Sequence, residues 1–163
     1  MKKQRGSGMT PPNCAGKRFA IIAARFYGKL SDALVGGARR ALHDCGVRDE
    51  DVSLYEVPGC FEIPLACRRI IDADRFDGLV ALGAVIQGRT PHFTYVAGEC
   101  ARGIMDVQLA TGVPIGFGIL TTATQEQAEE RADPERGDKG YEAAFAAAVL
   151  TVTPSDLPRA GFR

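Results

Sequence analysis

From about residue 18 onward, short apolar runs alternate with longer segments in which apolar residues recur every three or four positions. This alternation is typical of a parallel sheet covered by helices, since each parallel strand connects to the next through a helix. The four apolar runs are "FAIIAARF", "VSLYEV", "GLVALGAVI" and "VPIGFGIL". The sequence therefore predicts a single α/β domain, a three-layer α/β/α sandwich around a four-stranded parallel sheet.

Local signals predict where the helices begin and end. Ser31 is the expected cap of the first helix and Gly46 its end, and Thr124 is the expected cap of a helix that runs to about Arg131. Thr90 and Pro91 are expected to begin the helix between the third and fourth strands, because proline suits the first helical position.

Charge and cysteine content narrow the classes of function. The 20 basic and 20 acidic residues cancel, which argues against nucleic acid or an anionic membrane as a partner. Five cysteines without a C-x-x-C pair or a histidine at ligand spacing argue against a disulfide framework and a metal site.

Residues 1–16 lack the apolar core of a signal peptide. We expect a flexible N-terminal arm there and a cytoplasmic protein.

Several loops should meet at one edge of the sheet, because ligands of parallel α/β sheets bind at the carboxyl ends of the strands. The segments expected at this edge are Phe26, Cys60 to Glu62, Ile86 to Thr90 and Leu120 to Thr122.

The segment "GRTPHF" places His92 in the first turn of a helix. Free backbone N–H groups and the helix dipole make such a turn suited to phosphate or carboxylate, with Arg89 and Thr90 adding donors. The same field favours a neutral imidazole that can take or give a proton. The alternative is that His92 simply fills a polar surface position.

Other candidates also have two interpretations. Phe26 and Phe61 are either a clamp for a planar ring or core side chains. Glu62 is either an acid, base or polyol ligand or a solvated first-turn glutamate, and Cys60 is expected to be a small packing residue. Arg131, Arg136 and Lys139 form a basic group around the last loop, and on local pattern alone they are better interpreted as surface charge that balances neighbouring acidic side chains.

Six segments taken together resemble lumazine synthases: "ARF" at 24–26, "VPGCFEIP" at 57–64, "LGAVIQGRTPHFTYV" at 82–96, "TGVPIGFGILTT" at 111–122, "EQAEERA" at 126–132 and "DKGYEAA" at 138–144. The likeness runs in order from about residue 18 to 150. It implies a flavodoxin-like domain over residues 17–157, an arm at 1–16 that adds a strand to a neighbouring subunit, and a tail at 158–163.

The resemblance implies a cofactor-independent condensation of 5-amino-6-(D-ribitylamino)uracil with 3,4-dihydroxy-2-butanone 4-phosphate. The product is 6,7-dimethyl-8-ribityllumazine, and phosphate and water are released in this penultimate step of riboflavin biosynthesis. It further implies a homopentamer or a sixty-subunit shell with active sites shared between adjacent subunits, and riboflavin synthase as a candidate partner.

The resemblance also assigns roles to residues. His92 transfers protons, Arg89 and Thr90 bind the phosphate ester, and Arg131 offsets its charge as it leaves. Phe26 stacks on the pyrimidine, and Phe117 closes the pocket from a second chain. The remaining substrate-binding positions are Cys60, Phe61, Glu62, Ala84, Val85, Ile86 and Lys139.

Four residues depart from the commonest pattern of lumazine synthases: Gln87, Tyr27, Thr94 and Asp138. Asp138 is expected to weaken the positive field around the leaving phosphate. Two alternatives remain, an archaeal-type riboflavin synthase and a non-enzymatic flavin-binding or shell-forming paralogue. The phosphate-binding residues argue against the former, because its reaction eliminates no phosphate.

Overall fold

The computed structural model describes residues 8–152 and contains the predicted sheet with helices on both faces. The strands are β1 Phe19–Ala24, β2 Val52–Val57, β3 Gly78–Ile86 and β4 Ile115–Thr122. The helices are α1 Gly28–Asp44, α2 Ile63–Ala73, α3 His92–Thr111, α4 Gln125–Ala132 and α5 Lys139–Thr151. Each strand run read from the sequence corresponds to one of these strands.

All strand pairs are parallel, and the sheet order is β2-β1-β3-β4. The central strands carry side chains buried on both faces, which explains the almost entirely apolar sequence of β3. One face packs against α1, α4 and α5, and the other packs against α2 and α3. The architecture is the predicted three-layer sandwich of flavodoxin-like type.

Two helix starts differ from the sequence-based prediction. Ser31 lies inside α1, because this helix begins three residues earlier at Gly28. Ser31 is buried, with 1% of its surface exposed. Pro91, not Thr90, precedes α3, and no side chain caps that helix. Thr124 does cap α4, accepting a hydrogen bond from the Gln127 N–H at 3.2 Å. Gly46 lies just beyond α1, as predicted.

Asp138 precedes α5 in a left-handed backbone conformation and is buried. Its Oδ1 accepts a hydrogen bond from Arg40 of α1 at 2.7 Å, and this ion pair links the two helices. The neighbouring Lys139 pairs with Glu142 instead, at 2.6 Å. Part of the negative charge of Asp138 is therefore already offset on the α1 side.

The predicted N-terminal arm is described only from residue 8 onward, and the predicted tail at 158–163 lies outside the described residues. Cys14 is fully buried, and its N–H donates to the Cys45 carbonyl at 2.8 Å. This part of the segment is therefore anchored to the domain. In the described part of the chain, no helix is both long and apolar enough to span a bilayer.

Candidate active site

A cleft of about 610 Å³ opens at the carboxyl edge of β1 and β3. Its walls come from the loop after β1, the 3₁₀ turn Cys60–Glu62, the end of β3 and the start of α3. Nine of the predicted site residues line it: Phe26, Cys60, Phe61, Glu62, Ala84, Val85, Ile86, Thr90 and His92. The predicted convergence is thus observed for Phe26, Cys60 to Glu62 and the end of β3. It is not observed for Leu120 to Thr122, since Leu120 and Thr121 line a different concavity.

Two aromatic side chains at the mouth of this cleft are exposed. Phe26 is 75% exposed and Phe61 is 61% exposed, so the interpretation of these residues as core is wrong. The Phe26 ring makes an edge contact with Tyr27, with centroids 4.9 Å apart. Exposed rings beside an apolar cleft can pack against a planar ligand.

Cys60 is a packing residue, as expected. It is buried, and its thiol donates to the Ala84 carbonyl, with Sγ 3.7 Å from the oxygen. A Cβ on Gly83 would lie 2.6 Å from that sulfur, so glycine allows the 3₁₀ turn to approach β3. Contact with Cys60 and burial raise the pKa of Cys100 above its usual range, and burial raises the pKa of Cys67 to about 12. The Cys67 and Cys100 thiols are therefore neutral at physiological pH.

The Glu62 side chain is held by its own turn. Its Oε2 accepts a hydrogen bond from the Gly59 N–H at 3.0 Å, and its N–H faces the Gly59 carbonyl at 3.4 Å. This arrangement fixes the turn and is more specific than a solvated first-turn glutamate. The other carboxylate oxygen, Oε1, remains available to a ligand hydroxyl group.

The start of α3 is open. His92 is the first helical residue and is exposed, and the first turn contains no acidic side chain. A Cβ on Gly88 would meet no atom within 4 Å, so the loop backbone is accessible. Arg89 is exposed and does not line the cleft, and it forms no hydrogen bond or ion pair with another described residue. This helix start can accept an anion.

The three remaining predicted residues lie elsewhere. Phe117, Arg131 and Lys139 line a second concavity of about 410 Å³ along β4, α4 and α5. Within residues 8–152, the Arg131 guanidinium donates to the Gln127 carbonyl at 3.3 Å and has no carboxylate partner. Arg136, by contrast, pairs with Glu130 at 2.9 Å. The interpretation as balanced surface charge therefore fits Arg136 and Lys139 but not Arg131.

Several residues that line the first cleft were not predicted from the sequence. Tyr95 and Val96 follow His92 at helical spacing, and Tyr27 adjoins Phe26. The three- and four-residue spacing from His92 was the signal that could have identified the first two. Between residues 8 and 152, no group of three or more His, Cys, Asp or Glu side chains could hold a metal ion.

Comparison with known proteins decides the family. The family model of 6,7-dimethyl-8-ribityllumazine synthase matches residues 16–153. The chain belongs to this family. The 6,7-dimethyl-8-ribityllumazine synthase of Desulfatibacillum aliphaticivorans is 51% identical over 132 residues, which cover 81% of this chain and 85% of the relative. The synthase of Halorhodospira halophila is 49% identical over 130 residues, covering 80% and 83%.

Membership of the lumazine synthase family establishes the reaction. The enzyme is a transferase that condenses 5-amino-6-(D-ribitylamino)uracil with 3,4-dihydroxy-2-butanone 4-phosphate to give 6,7-dimethyl-8-ribityllumazine in riboflavin biosynthesis. The substrates are small molecules. The family match does not favour either alternative, the archaeal-type riboflavin synthase or the non-enzymatic paralogue.

Proposed function

We propose that the active site of this lumazine synthase forms where the first cleft of one chain meets the β4 concavity of its neighbour. The observation that carries this proposal is the separation of the site residues. His92 lies in the cleft at the start of α3, whereas Arg131 and Phe117 line a different concavity. Joining the two concavities brings all three side chains to one ligand.

The first cleft binds the pyrimidine substrate in this proposal. Phe26 stacks on the ring, and Phe61 adds a second apolar wall. Main-chain groups at the 3₁₀ turn and at Ala84, Val85 and Ile86 hydrogen-bond the ring and the ribityl chain, while Glu62 accepts from a ribityl hydroxyl. The support is the mainly apolar lining and the free carboxylate oxygen.

The phosphate ester binds at the start of α3. Arg89 and Thr90 donate to its oxygens together with the free N–H groups of the first turn. Arg131 of the neighbouring chain offsets the charge that develops as phosphate leaves, and Lys139 contributes less because Glu142 already pairs with it. Among the described residues, neither Arg89 nor Arg131 has a carboxylate partner, which supports these roles.

His92 transfers protons between successive steps. The 5-amino group attacks the ketone, water is lost to form an imine, and phosphate is eliminated. The ribitylamino nitrogen then closes the ring with loss of a second water. Each step needs a proton moved at the reacting centre, and an exposed imidazole facing the cleft can do this. Holding both substrates together removes much of the entropic cost.

The assembly proposed is a pentamer, either alone or as the unit of a sixty-subunit shell. A head-to-tail contact between the cleft and the β4 concavity is heterologous, and heterologous contacts form a ring when the rotation between subunits closes. Among the described residues, the outer strands β2 and β4 each pair on one side only, so a neighbour could cover their other edges. We propose that the N-terminal arm of another chain covers β2.

Sedimentation velocity tests the size of the assembly. Five copies of the 17.4 kDa chain weigh about 87 kDa and sixty copies weigh about 1 MDa, so the two assemblies sediment at clearly different rates.

Subunit mixing tests the shared site. His92→Ala and Arg131→Ala each disable one half of every site, so each variant alone has low activity. In oligomers formed from equal amounts of the two, about one contact in four joins an intact His92 to an intact Arg131. We expect co-refolded mixtures to recover about a quarter of wild-type activity. Activity no higher than the mean of the single variants would contradict a site shared between chains.

Two further parts of the proposal concern context. The enzyme acts in the cytoplasm, and riboflavin synthase takes up the product. Their support is the buried, unpaired state of all five cysteines and the position of the reaction one step before riboflavin. An assay of purified protein that follows lumazine absorbance and released phosphate distinguishes this enzyme from a non-enzymatic paralogue.

A further inference from the structure

Phe26 lacks the packing that usually fixes an aromatic ring. It lies in the bend between β1 and α1 and is three-quarters exposed. A side chain in such a position changes rotamer on the picosecond to nanosecond timescale unless a neighbour restrains it. If the ring moved freely, each binding event would have to order it at a cost in free energy.

Tyr27 provides the restraint. Its ring contacts the Phe26 ring edge-on, with centroids 4.9 Å apart and planes inclined by 70°. Tyr27 is itself partly buried and packs against the core on the α1 side of the sheet, as Ile86 does. The Tyr27 carbonyl also accepts the Ser31 N–H at 2.9 Å, which ties its backbone to α1.

We propose that Tyr27 is a positioning residue that holds the Phe26 ring in the orientation that receives the pyrimidine. The inference rests on the proposed role of Phe26 as the stacking surface. Tyr27 touches both the anchored core and the exposed ring, and both residues line the same cleft. The ring of Tyr27 acts in this role, and its hydroxyl group does not.

The first test measures ring order without substrate. The chain has no tryptophan, so Phe26→Trp introduces a single indole at the platform position. Adding Tyr27→Leu should increase the amplitude of sub-nanosecond depolarisation in time-resolved anisotropy by about twofold. Tyr27→Phe should leave that amplitude unchanged. An indole equally ordered in the Leu and Phe backgrounds would overturn the proposal.

The second test measures binding of the ribitylaminouracil by calorimetry. Tyr27→Leu should weaken binding about threefold to tenfold, the range expected for loss of one aromatic pair. The KM of the phosphate substrate should stay constant, and Tyr27→Phe should restore wild-type affinity. Tyr55→Leu is a matched control, because it removes an edge contact with Phe76 outside the cleft.

Combining the substitutions separates the two proposals. In a Phe26→Ala background, Tyr27→Leu should cause no further loss of affinity. If Phe26→Ala itself leaves binding unchanged, the stacking role fails and the inference fails with it. If Phe26→Ala weakens binding but Tyr27→Leu does not, only the positioning role is wrong. Tyr27→Met, which keeps the apolar volume without a ring, replaces the Leu variant if that variant does not fold.

Discussion

Gly83 of β3 links the packing of the sheet to the shape of the first cleft. A Cβ at this position would lie 2.6 Å from the Cys60 sulfur and 3.0 Å from the Ala24 Cβ. Ordinary contacts between such atoms are about 3.5–4.0 Å, so Gly83→Ala must push the 3₁₀ turn outward by about 1 Å. That turn carries Phe61 and Glu62 on the cleft wall.

Overpacking of this kind costs about 1–3 kcal/mol, offset by up to about 1 kcal/mol because alanine has less conformational freedom than glycine when unfolded. We expect a net loss of about 1–2 kcal/mol, which lowers the melting temperature by about 2–8 °C. Calorimetric scans at one fixed protein concentration measure this. Affinity for the pyrimidine substrate should fall in the same variant, because the displaced turn lines the cleft in which we propose that this substrate binds.

Two further variants test whether collision with the Cys60 sulfur causes the loss of stability. Cys60→Ala in the Gly83→Ala background removes the colliding sulfur, so it should recover about half of the lost stability, since the contact with Ala24 remains. Gly98→Ala is the control, because a Cβ there meets nothing within 4 Å and alanine favours the helix. A Gly83→Ala protein with unchanged melting temperature and pyrimidine affinity would refute this account of the turn.

Three other perturbations follow from the site and the core. His92→Ala should lower kcat about tenfold to a thousandfold, a general acid-base contribution; unchanged kcat at saturating substrates would remove His92 from the mechanism. Arg131→Ala should abolish use of the phosphate substrate while calorimetry shows intact pyrimidine binding. Arg136→Ala, which breaks a pair with Glu130, should leave both phosphate use and pyrimidine binding unchanged. Burial raises the pKa of Cys67 from 9.0 to about 12, so the unfolded chain ionises first as pH rises. Between these pH values, the contribution of this residue should therefore lower the free energy of unfolding by about 1.4 kcal/mol per pH unit. If urea unfolding gave Cys67→Ala the same dependence of unfolding free energy on pH as the wild type, this prediction would be contradicted.

The strands were predictable because burial on both faces imposes an apolar run, as in β3. Helix starts were less predictable. Ser31 looks like a cap, but the α1 interface buries it, since packing of the helix outweighs a single capping preference. The start of α3 was predicted one residue too early, at Thr90 and Pro91. The local pattern does not fix which residue first adopts helical geometry.

The first cleft was predictable from topology, since strand ends of a parallel sheet converge. The exposure of Phe26 and Phe61 was not predictable, because composition favours burial of phenylalanine and only the fold shows that these two rings are exposed. The separation of Arg131 from His92 could not be predicted from the sequence either. It depends on how α4 lies beside β4, a long-range arrangement that no local pattern encodes.

The placement of the predicted residues in two separate concavities has a kinetic consequence. If catalysis needs both, a newly folded chain is inactive until it meets another copy. Recovery of activity after refolding would then be second order in protein at early times, with a lag that shortens on concentration. Recovery of helical circular dichroism would remain first order, so the interval between the two signals times the encounter of chains.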